Sequence, residues 1–202
     1  DNAEDTDTDS DGVGNNADTD DDGDSIPDVD ELAAGTNPLS ADSDQDGVND
    51  NLDALPLDEG EVSDFDGDGL GDNTDPDDDG DGVLDDTDAF PFDPGESLDT
   101  DGDGSGDNAD ADDDGDTLLD AAELVAGTNP LLADTDADGV SDNLDAFPLN
   151  GAESFDTDGD GVGNNADTDD DGDTLLDTDE VAAGTNPLST DSDKDGVNDN
   201  LD

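Results

Sequence analysis

Aspartate returns at positions 1, 3 and 5 of a twelve-residue unit that occurs eleven times along the 202-residue chain. Position 1 is Asp7, Asp20, Asp42, Asp64, Asp77, Asp99, Asp112, Asp134, Asp156, Asp169 and Asp191. Position 3 is Asp9, Asp22, Asp44, Asp66, Asp79, Asp101, Asp114, Asp136, Asp158, Asp171 and Asp193. Position 5 is Asp11, Asp24, Asp46, Asp68, Asp81, Asp103, Asp116, Asp138, Asp160, Asp173 and Asp195. Position 9 is Asn15, Asp28, Asp50, Asp72, Asp85, Asp107, Asp120, Asp142, Asn164, Asp177 and Asp199. Position 12 is Asp18, Glu31, Asp53, Asp75, Asp88, Asp110, Glu123, Asp145, Asp167, Glu180 and Asp202. These five phases hold 53 of the chain's 69 acids, so the charge is placed rather than merely abundant.

Carboxylates at 1, 3 and 5 of a tight turn converge on one point. With a backbone carbonyl at position 7 and closure by positions 9 and 12, directly or through water, they form an oxygen-only shell. Calcium accepts six to eight such ligands at about 2.3–2.6 Å in a flexible arrangement. Magnesium keeps its waters and prefers few carboxylates. Zinc calls for His or Cys, and the chain has neither. Position 6 is Gly in eight copies, as a sharp turn requires. Position 7 is Val, Ile or Leu in ten, with Ser105 the exception.

The composition makes such an ion necessary. One cation, Lys194, faces a formal charge of -68, and 27% hydrophobic residues cannot build a conventional core. Without neutralisation the carboxylates repel one another and the chain stays expanded. One ion in each of eleven units would leave -46, which suggests a second ion in some units. The acids at position 2 of four copies, Asp21, Asp78, Asp113 and Asp170, are candidates to hold it.

The elements that must position these loops are read from the connections. Successive units start 13 or 22 residues apart. In the short spacing a single residue (Thr19, Pro76, Ala111 or Thr168) separates two motifs, which leaves no room for the helices of paired EF-hands. Three long connections follow a Glu at position 12. There "IPDVDELAAG", "LLDAAELVAG" and "LLDTDEVAAG" predict about two helical turns, stopped by Gly and then Asn-Pro. Each places two acids three apart on one helical face (Asp28 and Glu31, Asp120 and Glu123, Asp177 and Glu180), so both could reach a single ion. The other three connections, "ALPLDEGEVS", "AFPFDPGESL" and "AFPLNGAESF", carry Pro and Phe, and Phe90, Phe92 and Phe147 are expected to pack on a neighbouring loop.

On these residues the chain resembles the thrombospondin type 3 repeat, in the cysteine-free form common in bacterial surface proteins. The resemblance covers residues 7–202 and rests on "DSDKDGVNDNLD", "DTDADGVSDNLD" and "DFDGDGLGDNTD" in alternating spacing. It implies an elongated array of calcium-stabilised loops, mostly irregular, with short helical turns and no hydrophobic core. Animal versions carry Cys at position 11, where this chain has residues such as Ala17, Thr74, Leu144 and Asp179, so order must depend on metal more heavily. Ser25, Thr117 and Thr174 replace Gly at position 6 in three motifs that carry Gly23, Gly115 and Gly172 at position 4 instead.

The array divides into an end of a connection (1–6), a three-motif unit (7–63), a two-motif unit (64–98) and two three-motif units (99–155 and 156–202). Its first and last residues fall within the pattern, as in a slice of a longer array. The expected function is structural: an extracellular or cell-surface, bacterial, calcium-dependent rod, stalk or filament, with about one ion per motif and two in some. The alternative is calcium-mediated adhesion to a glycan or mineral. Self-association end to end or laterally, and sugar on Ser or Thr, are compatible partners. So acidic a surface repels nucleic acid, whose binding needs Lys and Arg, and no apolar run approaches the roughly 18 residues of a membrane span. Catalysis is not expected, because His, Cys, Tyr and Trp are absent and the acids are committed to metal or exposed.

Overall fold

The computed structural model describes residues 6–201, so residues 1–5 of the leading connection and Asp202, position 12 of the last motif, lie outside it. The chain divides into two compact units, residues 1–98 and 99–202. Among the described residues there are three short helices, no strands and no buried hydrophobic side chain. The architecture is a string of loops.

Each loop is built by its own aspartates. Position 1 accepts from the N–H of position 6, as in Gly47 to Asp42 Oδ2 (3.0 Å). Position 3 accepts from position 5 (Asp46 to Asp44, 3.2 Å), and position 5 from position 7 (Val48 to Asp46, 2.7 Å). These Asx turns give the backbone the partners that a helix or sheet would supply. The loop base closes where the N–H of position 9 donates to the residue preceding position 1, as in Asp50 to the Ala41 carbonyl (2.9 Å). The carboxyl groups therefore fold the loop with one oxygen and keep the other for the interior.

Positions 4 and 6 take left-handed φ in every motif. Ser25, Thr117 and Thr174 at position 6 reach φ of 85°, 81° and 78°, so these three motifs make the same turn without glycine, at a local cost. Gly23, Gly115 and Gly172 do not replace that turn. They share with Gly80 a different constraint: a Cβ on Gly80 would stand 2.6 Å from Asp66 Oδ2 of the preceding motif, and Gly115 and Gly172 meet Asp101 and Asp158 at the same distance. In the short spacing two loops touch there, and position 4 must be bare.

The helices are α1 (Asp28–Ala34), α2 (Asp120–Ala126) and α3 (Asp177–Ala183), each starting at position 9 of the second motif of a close pair. They end as the sequence expects, on Gly35, Gly127 and Gly184 in left-handed conformation, with the glycine N–H on the carbonyl of the Glu four residues back. Seven residues cannot sustain a helix alone. The next motif holds each end: Asn37 N–H donates to Ser43 Oγ (2.8 Å), and Asn129 and Asn186 repeat the contact with Thr135 and Ser192.

Apolar packing is confined to small patches. Phe92 meets Phe65 edge to face at 5.5 Å, while Phe90 lines a shallow hollow with its own neighbours Pro91 and Phe92. Phe147 lines a hollow with Ala126, and Leu149 rests 3.6 Å from where a Cβ of Gly127 would stand.

Gly67 and Gly80 occupy the same position with φ of 76° and 71°, yet nothing lies within 4 Å of a Cβ on Gly67. Gly80→Ala should therefore cost about 1–3 kcal/mol more than Gly67→Ala, because Asp66 can yield only by leaving its turn with Asp68 N–H (2.9 Å). Denaturant unfolding of the two calcium-loaded variants checks this; equal midpoints would remove the close-approach explanation.

Candidate metal centres

The side-chain oxygens of Asp7, Asp9 and Asp11 lie within 4.8 Å of one another, as do those of Asp20, Asp22 and Asp24, of Asp42, Asp44 and Asp46, of Asp64, Asp66 and Asp68, and of Asp77, Asp79 and Asp81. Six further acidic groups of the same kind are present. Positions 1, 3 and 5 thus converge as the spacing predicts.

Position 12 turns towards the same interior. The second oxygens of Asp44, Asp46 and Asp53 are buried and accept no hydrogen bond, and so are those of Asp22, Asp24 and Glu31. Both oxygens of Glu31 and of Glu180 are in this state, and Glu31, Glu123 and Glu180 are 0% exposed. Burying a carboxylate without a partner is among the most costly arrangements a protein can make. Burial, followed by the neighbouring carboxylates, pushes all three glutamates from an ordinary 4.5 to about 7. Burial likewise raises Asp53 and Asp145 against positions 3 and 5 of their own motifs. A donor set of hard oxygens with no nitrogen or sulfur fits a calcium-type cation, which would be held by positions 3, 5 and 12 together with position 1.

Position 9 has a second duty. Its Oδ1 accepts from the N–H of position 2, and where position 2 is Ser or Thr its other oxygen commonly takes the hydroxyl. Thr135 makes both bonds to Asp142 (2.9 and 2.6 Å), and Ser43 both to Asp50 (2.8 and 2.6 Å). An amide does this as well as a carboxylate, which accounts for Asn15 and Asn164, each bonded both ways to Thr8 and Thr157. Asp28, Asp120 and Asp177 keep the backbone bond, to Asp21, Asp113 and Asp170, at the start of each helix.

Neighbouring motifs complete one another's centres. Asp50 is among the charges that raise Asp22 and Glu31, although it belongs to the next motif; Asp142 acts so on Asp114 and Glu123, and Asp199 on Asp171 and Glu180. The adjoining position 10 is a fastener that the motif pattern did not reveal. Asn143 N–H donates to Asp116 Oδ2 (3.0 Å) and its amide to Thr117 Oγ1 (2.8 Å), and Asn200 repeats this on Asp173 and Thr174. In the first motif of a pair the grip is reversed: Asn73 N–H donates to Glu61 Oε2 (2.9 Å) and its amide to the Gly60 carbonyl (2.7 Å), as Asn165 does with Glu153 and Ala152. The signal was available, since Asn fills position 10 wherever a long connection precedes the motif, and Glu stands three residues before each close pair.

Acid and metal should act on these glutamates in opposite senses. In chelated protein, carboxyls raised from 4.5 to about 7 contribute stability that is complete below about pH 4.5 and lost as pH rises through 7. With calcium, protons and cations compete for the same oxygens. Circular dichroism of the chelated chain should show more order at pH 5 than at pH 8, while calcium affinity should be weaker at pH 5 than at pH 7.5. Affinity that rises on acidification would contradict this.

Residues 20–41, 112–133 and 169–190 match the family model of the bacterial TSP3 repeat. Each matched segment begins at position 1 of the second motif of a close pair and includes one helix and its Gly-Thr-Asn-Pro stop. No curated protein matches the chain. No helix among the described residues is long and apolar enough to cross a membrane. The convergent acids, the buried glutamates and the three matched segments agree: the chain carries bacterial TSP3 repeats, of the thrombospondin type 3, calcium-binding class.

Proposed function

We propose that the chain is a segment of an extracellular structural array at a bacterial surface, a stalk, spacer or filament that stiffens on binding calcium. The observation that carries this reading is the full burial of Glu31, Glu123 and Glu180 among other carboxylates, in a fold with no buried hydrophobic side chain among its described residues. Such an interior is cohesive only when cations occupy it, so ion binding and folding are one process. Extracellular calcium modules work at roughly 10⁻⁴–10⁻³ M, a level that favours a compartment outside the cell.

The contacts between motifs support a mechanical role. Position 10 and the close glycines tie each loop to its neighbour in sequence, which is the connectivity of a quasi-one-dimensional array. A structural reading is favoured over a catalytic one because the acids are engaged in turns and centres, and the hollows are shallow and lined mainly by apolar residues such as Phe147, Pro148 and Leu149.

Small-angle scattering of the full chain with calcium, and again with excess chelator, tests the proposal. With calcium the profile should be that of a stiff, extended particle, and chelation should convert it to that of a flexible coil. Equal, flexible profiles in both would overturn it.

A further inference from the structure

Four motifs, each the second of a close pair, have Asp at position 2 instead of Ser or Thr. In several other motifs the hydroxyl at that place donates to the second oxygen of position 9, at 2.6 Å from Ser43 to Asp50 and 2.7 Å from Thr100 to Asp107. Here the backbone half of the clasp is kept, with Asp78 N–H on Asp85 Oδ1 (2.9 Å) and Asp113 N–H on Asp120 Oδ1 (3.0 Å). The hydroxyl is replaced by a second anion. A hydrogen bond has become a facing pair of acids.

That pair is shut away from water. Asp78 and Asp113 are only 7% and 9% exposed, and Oδ1 of each is buried without a hydrogen-bond donor. Besides Asp85, the charges acting on Asp78 are Asp72 and Asp75, positions 9 and 12 of the preceding motif, and Asp79 of its own. Asp113 repeats the set with Asp120, Asp107, Asp110 and Asp114. One residue separates the motifs, Pro76 or Ala111, and the bare Gly80 and Gly115 let the loops close on each other.

We propose that Asp78 with Asp72, Asp75 and Asp85, and Asp113 with Asp107, Asp110 and Asp120, form further calcium sites at the junctions of close pairs, distinct from the centres within each loop. The inference rests on the calcium reading above. An ion there joins the closing residue of one motif to the opening residues of the next, and so fixes their relative setting. The competing explanation is a proton shared between Asp78 and Asp85, which would hold the acids together with no cation. Asp170 repeats the pattern in part: it is half-buried, and Asp177 and Asp167 act on it together with Glu153.

The test is an ion count on the full chain by native mass spectrometry at saturating calcium, for the parent and for the double variant Asp78→Ser, Asp113→Ser. Serine restores the clasp seen at Ser43, so the loops keep their partners. The variant should carry about two fewer ions and be otherwise loaded as the parent. Equal counts would overturn the junction sites and leave the loop centres standing. A parent that takes up no calcium would overturn both. If the serine pair does not fold in calcium, the same count is made on Asp78→Asn, Asp113→Asn, which keeps shape and removes charge; an undiminished count there is equally fatal.

Discussion

Desolvated like charges are the constraint from which the rest of this structure follows. A carboxylate taken out of water without a counter-ion is destabilising by several kcal/mol, and here such groups are concentrated where other proteins place leucine and valine. The side chains withdrawn completely from solvent are Glu31, Glu123 and Glu180, while Leu124 and Val125, one and two residues beyond Glu123, are 72% and 88% exposed. The usual partition of polar outside and apolar inside is inverted. Cohesion must then be electrostatic, with divalent ions as the attractive partners, and stability becomes a function of ion activity rather than of buried area.

Each carboxyl group serves two ends under this constraint. One oxygen caps a backbone N–H and so shapes the turn; the other points inward. Asp46 shows the division, with Oδ1 accepting from Val48 and Oδ2 buried and unpartnered. Because the turn is made by the ligand itself, ligand geometry and backbone geometry are not separable, and a change at position 3 or 5 disturbs both. This also explains why so little regular secondary structure is needed: the backbone groups that a sheet would pair are already paired with side chains.

Much of this was legible in the chain, because the motif is local. Positions 1, 3, 5 and 12 converge within one loop, and the helix stops at Gly35, Gly127 and Gly184 follow from neighbouring residues, so spacing alone carried the information. What spacing could not carry lies between motifs. Asn143 grips Asp116 across 27 residues of sequence, and Gly80 is bare on account of Asp66 rather than of its own turn. Gly23, Gly115 and Gly172, read along the chain, look like displaced turn glycines; they answer to a neighbour. Position 9 was misleading in a milder way, since its clasp on position 2 is satisfied equally by Asn15 or Asp142 and says little about charge.

The fasteners formed by Asn73 with Glu61 and by Asn165 with Glu153 occupy the role that sulfur bridges fill in animal relatives of this design. A clamp of amide and carboxylate needs no oxidant to close and no isomerase to correct it, and a reducing milieu leaves it intact. Assembly can then proceed wherever the chain emerges into mineral-rich water, without regard to redox potential, and an interrupted array can re-form after its ions are stripped and returned.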